Sequence, residues 1–184
     1  MVKIKDNLQY VWLLFAAAMV GIDRLTKWLI TSNMGLNDTI HLIKIGDTEV
    51  LNFYYCLNSG AAFSKLSGQT ILLIVMTSIV IVGLLVLMIA KKVKRPIHMA
   101  AVSLIIGGGI GNLIDRIFNN GLVIDFIDVR IINFAIFNFA DICAVCGAGM
   151  LMIVVIVDEI REKKRKKLAS AQNGEVTDGD GKNS

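Results

Sequence analysis

Charge is scarce along this chain. Only 18% of its 184 residues are Asp, Glu, Lys or Arg, where a soluble domain carries roughly 25%. The charge is also clumped, and long stretches have none. With a hydrophobic share of 55% and a mean hydropathy of +0.66, this excludes an ordinary soluble domain and points to an integral membrane protein. Proline occurs once, at Pro96, where it opens an apolar run and its missing N–H costs least. Cysteine occurs three times. Cys143 and Cys146 form a CxxC, but no βαβ pattern accompanies it, so small soft residues packing between helices are the plainer reading than a redox pair. Glycine is plentiful but in no nucleotide-binding order: in "GGGIGNLIDR" (107–116) the GxGxxG spacing fails at Asn112, and no phosphate-binding loop pattern occurs. No internal repeat is visible.

Four apolar stretches are long enough to cross a bilayer, which takes about 20 residues each. They lie at about 8–30, 70–90, 97–116 and 139–157. The first resembles a secretory signal peptide in its basic start, but Asp23, Arg24 and Lys27 stand where a small-residue cleavage site belongs, so it reads as a retained helix. Basic residues cluster at Lys3 and Lys5, in the 91–95 linker KKVKR and in REKKRKK (161–167). By the positive-inside rule both termini and that linker are cytoplasmic, and residues 31–69 and about 117–138 face outward. The net charge of +4 comes largely from these clusters, which suit anionic lipid headgroups and leave no case for nucleic acid. The outer segment 31–69 carries β-branched and aromatic runs broken at Gly46-Asp47 and Asn58-Ser59-Gly60, which predicts short strands on the membrane surface; its "AAF" (61–63) suits an apolar wall. The fold class is therefore an all-α membrane protein of four transmembrane helices with a small β-rich outer segment. Residues 1–162 form one domain, and 163–184 form a basic, then polar, cytoplasmic tail expected to be disordered.

Placed on this topology, the unusual polar residues converge. Asp23 and Lys27 lie in the outer part of the first helix. Asn112, Asp115 and Arg116 end the third. Asn138 and Asp141 begin the fourth, and Asn58 precedes the second. The two histidines, His41 and His98, fall on opposite sides, which excludes an HExxH zinc site and a Ser–His dyad on one face. Ionisable groups at membrane depth cost several kcal/mol unless paired or wet. Part of the set has a purely structural reading, in which Arg116 pairs with Asp115 or Asp23, and Lys27 with Asp23 one turn away. Five acids share this layer: Asp23, Asp115, Asp125, Asp128 and Asp141. With Arg24 and Arg130 assigned to the membrane interface and the loop, Lys27 and Arg116 are too few for the five acids, and two of those left over can face each other. A close carboxylate pair keeps one proton, so it holds a general base and a general acid together. Spacing does not decide between Asp115 and Asp125 as members of the pair. A second reading makes the same groups a proton or ion relay in a small transporter, although the inverted repeats and midplane helix breaks of transporters are not seen. The Gly-x-Gly-Asp signature of another intramembrane aspartyl protease class is also missing.

Five stretches, "DRLTK" (23–27), "NSGAAFS" (58–64), "GGGIGNLIDR" (107–116), "VIDFIDV" (123–129) and "FNFAD" (137–141), give the chain a resemblance to the bacterial lipoprotein signal peptidases, the signal peptidase II family of membrane aspartyl proteases. The resemblance covers about residues 1–162. It implies an endopeptidase of the bacterial cytoplasmic (inner) membrane, acting at the extracytoplasmic face. Such an enzyme cleaves diacylglyceryl-modified prolipoproteins before the lipidated cysteine, with no cofactor and no metal. It implies Asp125 and Asp141 as the catalytic pair and Asn58, Asn112, Arg116 and Asn138 as substrate-binding residues. Asp23, Lys27, Asp115, Gly60 and Gly108 are implied as supporting residues. It further implies membrane lipids and globomycin-type cyclic peptide inhibitors as partners of a monomer. Phe139, where a smaller aliphatic residue is common, and the cysteines of "ICAVCG" are departures that touch local packing only.

Overall fold

The computed structural model describes residues 7–60, 70–132 and 134–177. Four helices and three strands follow in the order α1 (Leu8–Asn33), β1 (Thr39–Ile45), β2 (Thr48–Asn58), α2 (Thr70–Ile89), α3 (Pro96–Phe118), β3 (Val123–Val129) and α4 (Phe139–Thr177), with a 3₁₀ turn at Arg130–Ile132. Among the described residues three helical stretches are long and apolar enough to cross a membrane: Thr70–Ile89, Pro96–Phe118 and Phe139–Leu168. α1 is of similar length but carries Asp23, Arg24 and Lys27 in its second half. The α4 backbone continues to Thr177, into the segment read from sequence as tail; residues 178–184 lie outside the described ones, as does the "AAF" stretch.

α3 is the central helix and packs against α1, α2 and α4. The reason is in its glycines. A Cβ added at Gly108 would stand 2.3 Å from the Ala140 carbonyl oxygen and 2.8 Å from the Ala144 backbone nitrogen, so α4 lies directly on the α3 backbone. Small residues at helix interfaces in lipid permit this approach and the dispersion contacts it brings. On α1 the buried residues include Gln9, Ala16, Asp23 and Ile30, a seven-residue period that marks one seam against the bundle. Asp23 thus sits in the packing stripe itself. Large aliphatic residues of α2, such as Ile71 and Ile79, face outward, as a lipid-facing helix requires.

The outer segment forms strands as expected, but the sheet is larger than the segment. β1 and β2 make a hairpin through Gly46-Asp47, with Gly46 at φ +60°, a left-handed value that glycine reaches without strain. β3, read from sequence only as part of an outer loop, pairs antiparallel with β2 and completes the order β1-β2-β3. α3 ends at Asn119-Asn120-Gly121, where Asn120 takes φ 53° and the Gly121 N–H closes on the Arg116 carbonyl; this Schellman-type stop turns the chain directly into β3. On the other edge of β3, Phe137 exchanges backbone hydrogen bonds with Ile127. The start of α4 is thereby fixed beside β3.

Candidate active site

α4 begins with a reciprocal cap. The Asp141 backbone N–H donates to Asn138 Oδ1 at 3.0 Å, and the Asn138 backbone N–H donates to Asp141 Oδ2 at 3.1 Å. This is a capping box built from Asn and Asp, and it explains why the sequence places them three residues apart in "FNFAD". The cap also fixes the Asp141 carboxylate at a helix N-terminus, where the dipole favours negative charge. Asn112, one face of α3 away, donates its Nδ2 to Asp141 Oδ1 at 2.7 Å.

Asp125 lies in the middle of β3 and is only 2% exposed. Asn58, at the end of β2, donates to its Oδ2 at 2.9 Å, and Asn138 Nδ2 donates to its Oδ1 at 2.6 Å. Asn138 Nδ2 also lies 3.0 Å from Asn112 Oδ1 and 3.2 Å from the Ile124 carbonyl. One buried asparagine therefore ties Asp125, Asn112 and Asp141 together. The Gly60 N–H donates to Asn58 Oδ1 at 3.0 Å, which leaves the Asn58 amide nitrogen for Asp125. A bulge in β2 between Phe53 and Cys56 gives the sheet an extra residue next to Asp125, a common device beside functional groups. Burial first, then the nearby Asp141 carboxylate, push Asp125 up to about 7, against the lowering hydrogen bonds of Asn58 and Asn138 and the Lys27 ammonium. Cys56, across the β2–β3 ladder from Asp125, is pushed up to about 11 by burial and by Asp125 and Asp128, so its thiol stays protonated.

The other acids are neutralised. Lys27 Nζ lies 3.0 Å from Asp23 Oδ2 and 2.7 Å from Asp115 Oδ2. Arg24 spans the same two acids, at 2.6 Å from Asp23 and 2.7 Å from Asp115. Two cations and two anions give no net charge, and backbone N–H groups complete them: Ala140 donates to Asp23 and Ile124 donates to Asp115. Asp128 pairs with Arg130 at 2.7 Å. Of the five acids in the layer, only Asp125 and Asp141 lack an ion pair among the described residues.

The structure corrects the placing of Arg24 and of Arg130, the latter neutralising Asp128, and removes the structural alternative for Arg116. Arg24 does not serve the interface; its guanidinium reaches inward and neutralises two acids. Arg116 does not neutralise Asp115 or Asp23 and has no ion pair among the described residues. The cause is helical geometry: Arg116 follows Asp115 by about 100° of rotation, so Asp115 faces α1 while Arg116 lines a groove toward α2. That groove, about 330 Å³ in volume, runs between α2, α3 and α4 past Thr77, Ile81, Gly108, Asn112 and Arg116. The other polar residues proposed for the site from sequence, with Gly60, are joined by hydrogen bonds and ion pairs into one set, and Gly108 borders the groove. Sequence reasoning missed the capping box, although its Asn-x-x-Asp spacing before an apolar run was the available signal.

A family model described as signal peptidase (SPase) II matches residues 15–157. The chain belongs to the signal peptidase II family. It is a membrane protease of lipoprotein processing. A lipoprotein signal peptidase of Halalkalibacterium halodurans is 38% identical over 158 residues, covering 85% of this chain and 98% of that protein. One of Haemophilus influenzae (strain Rd) is 34% identical over 168 residues, covering 88% and 91%. A bacterial membrane enzyme solved by the in meso method at 2.3 Å resolution superposes with a TM-score of 0.73 at 32% identity, covering 81% of this chain and 89% of that one. For this signal peptidase II member the match runs from α1 into α4, so it includes all of the site residues above.

Proposed function

We propose that this signal peptidase II member is an aspartyl endopeptidase that cleaves diacylglyceryl-modified prolipoproteins immediately before the lipidated cysteine, using Asp125 and Asp141 to activate water. The observation that carries the reading is the charge balance of the site: three acids are held in ion pairs, while Asp125 and Asp141 receive only neutral amide N–H groups. A pair held this way shares one proton and acts as a unit. The ionised carboxylate takes a proton from water, whose oxygen attacks the scissile carbonyl carbon. The protonated partner gives its proton to the carbonyl oxygen. Collapse of the tetrahedral species breaks the C–N bond: a proton from the pair goes to the leaving amine, and one hydroxyl of the collapsing carbon returns its proton to the pair, which again holds one. The products are a signal-peptide carboxylate and a free amino group on the lipidated cysteine.

In this reading Arg116, Asn112 and Asn58 hold the substrate backbone, and the groove between α2 and α4 accepts the signal segment or a globomycin-type cyclic peptide. Asn138 is fully buried, so its role is to position both aspartates. Asp23, Lys27 and Asp115 support the site, with Arg24 added to them. α1 is the fourth span; its charged residues lie at membrane depth because Arg24 and Lys27 neutralise Asp23 together with Asp115 of α3. The protein is then a monomer of the bacterial inner membrane with both termini cytoplasmic and the aspartates at the outer face.

The test is cleavage of a diacylated prolipoprotein by purified protein. Asp125→Asn and Asp141→Asn should each lower the rate by about 10²-fold or more, while unfolding at a temperature no lower than wild type. Wild-type rates in either variant overturn the proposal.

A further inference from the structure

At the end of α3 remote from the aspartates, α2 stops in a Schellman-type turn. Lys91 takes φ 56°, its N–H bonds the Met88 carbonyl, and the Lys92 N–H bonds the Leu87 carbonyl. The linker after α2 is therefore a fixed piece of backbone rather than a free tether. Beneath it opens a second cleft of about 390 Å³, with a floor of Leu84, Leu87, Val102 and Leu151 and with Lys92 and Lys94 at its mouth. Arg95 and His98 also border it, but both turn to Asp158. That clamp joins α3 to α4 and neutralises the Asp158 carboxylate. Lys92 and Lys94 are exposed and carry no ion pair among the described residues. Two unpaired ammonium groups thus stand over an apolar slot bounded by membrane-spanning helices. The separation from Asn112 along α3 is about 21 Å, so this cleft is distinct from the aspartate site.

We infer that this cleft is a binding site for one anionic diacyl phospholipid, with the phosphate at Lys92 and Lys94 and part of an acyl chain on the Leu84–Leu87–Val102–Leu151 floor. The charge selects an anionic headgroup, and basic pockets between spans bind such headgroups. The floor requires a chain, which distinguishes a lipid from a soluble phosphate. Two flexible lysines suit a phosphate as point charges, and their methylene stems can lie along the apolar slot. The bland alternative is two lysines that merely extend to the interface with no lipid of their own.

The full-length protein in detergent is titrated with phosphatidylglycerol or phosphatidylcholine, and bound lipid is counted by native mass spectrometry. Phosphatidylglycerol is expected to be retained and phosphatidylcholine not. The K92Q/K94Q double variant should bind phosphatidylglycerol about thirtyfold more weakly. Leu87→Trp, which puts a larger side chain into the slot and leaves both charges, should also lose retention. Excess glycerol 3-phosphate should not displace the lipid. Equal retention of the two lipids, wild-type retention in either variant, or displacement by glycerol 3-phosphate each overturns the inference.

Discussion

Lys27 Nζ lies 3.2 Å from Asn112 Oδ1, and this contact decides which way the Asn112 amide faces. With Oδ1 also accepting from Asn138, only Nδ2 is left to point at Asp141. Lys27 thus links the buried ion cluster to the aspartate pair. Its side chain is 2% exposed, so removing the charge leaves Asp23 and Asp115 with Arg24 alone. Lys27→Met should destabilise the protein by about 3–5 kcal/mol, the usual result of breaking a buried pair from one side. Thermal unfolding in detergent checks this; a melting temperature equal to wild type would show that the cluster contributes little.

The reciprocal cap at α4 gives a variant pair that separates folding from chemistry. Asn138→Ala removes the cap and the bridge to Asp125, and should cost about 1 kcal/mol of stability together with most of the cleavage rate. Asn138→Asp keeps an oxygen able to cap α4 but sets a third carboxylate against Asp125. Its unfolding temperature should stay closer to wild type than that of Asn138→Ala, while its cleavage rate falls as far. Comparable activity in Asn138→Asp and wild type would remove Asn138 from the positioning role.

Gly108 and Gly149 make opposite predictions for one substitution. A methyl group at Gly108 meets backbone atoms of α4 at 2.3 and 2.8 Å, whereas at Gly149 nothing lies within 4 Å. Backbone cannot yield as a side-chain tip can, so Gly108→Ala must push α3 and α4 apart, at a cost of about 1–3 kcal/mol or more. The same shift moves Asn112 away from Asp141, so cleavage should fall too. Gly149→Ala should be neutral or raise stability by up to about 1 kcal/mol through helix propensity. Equal unfolding temperatures for the two variants would contradict the packing described.

The gathering of the polar residues at one end of the bundle was legible because helix direction alone places Asp23, Asn112 and Asp141 there. The pairing within that layer was not. Arg24 reaches Asp115 across 91 positions of sequence, and no local spacing reports such a contact. β3 was hidden for a related reason. Its buried pattern puts Asp125 and Phe126 side by side, which breaks strict alternation, and its partner β2 lies far back in the chain. Without β3, the sequence could not choose between Asp115 and Asp125. The structure separates them physically: Asp115 has two cations against it, and Asp125 has none in an ion pair.

The raised value of Asp125 gives both activity and stability a pH dependence. An acid whose folded value lies above its ordinary 3.8, at about 7, binds its proton more tightly in the folded state. Between those two values the folded protein holds a proton that the unfolded chain has lost, so stability declines as pH rises through this window. Asp125→Asn cannot lose a proton. It should therefore unfold at a higher temperature than wild type at pH 8, and the difference should shrink toward pH 4. The wild-type cleavage rate should fall on the alkaline side with a midpoint near 7, as the shared proton leaves the pair and the general acid is lost. That midpoint belongs to the pair and not to one residue. A rate that stays level from pH 6 to 9, with the chemical step limiting, would mean that no group titrating near 7 supplies the proton.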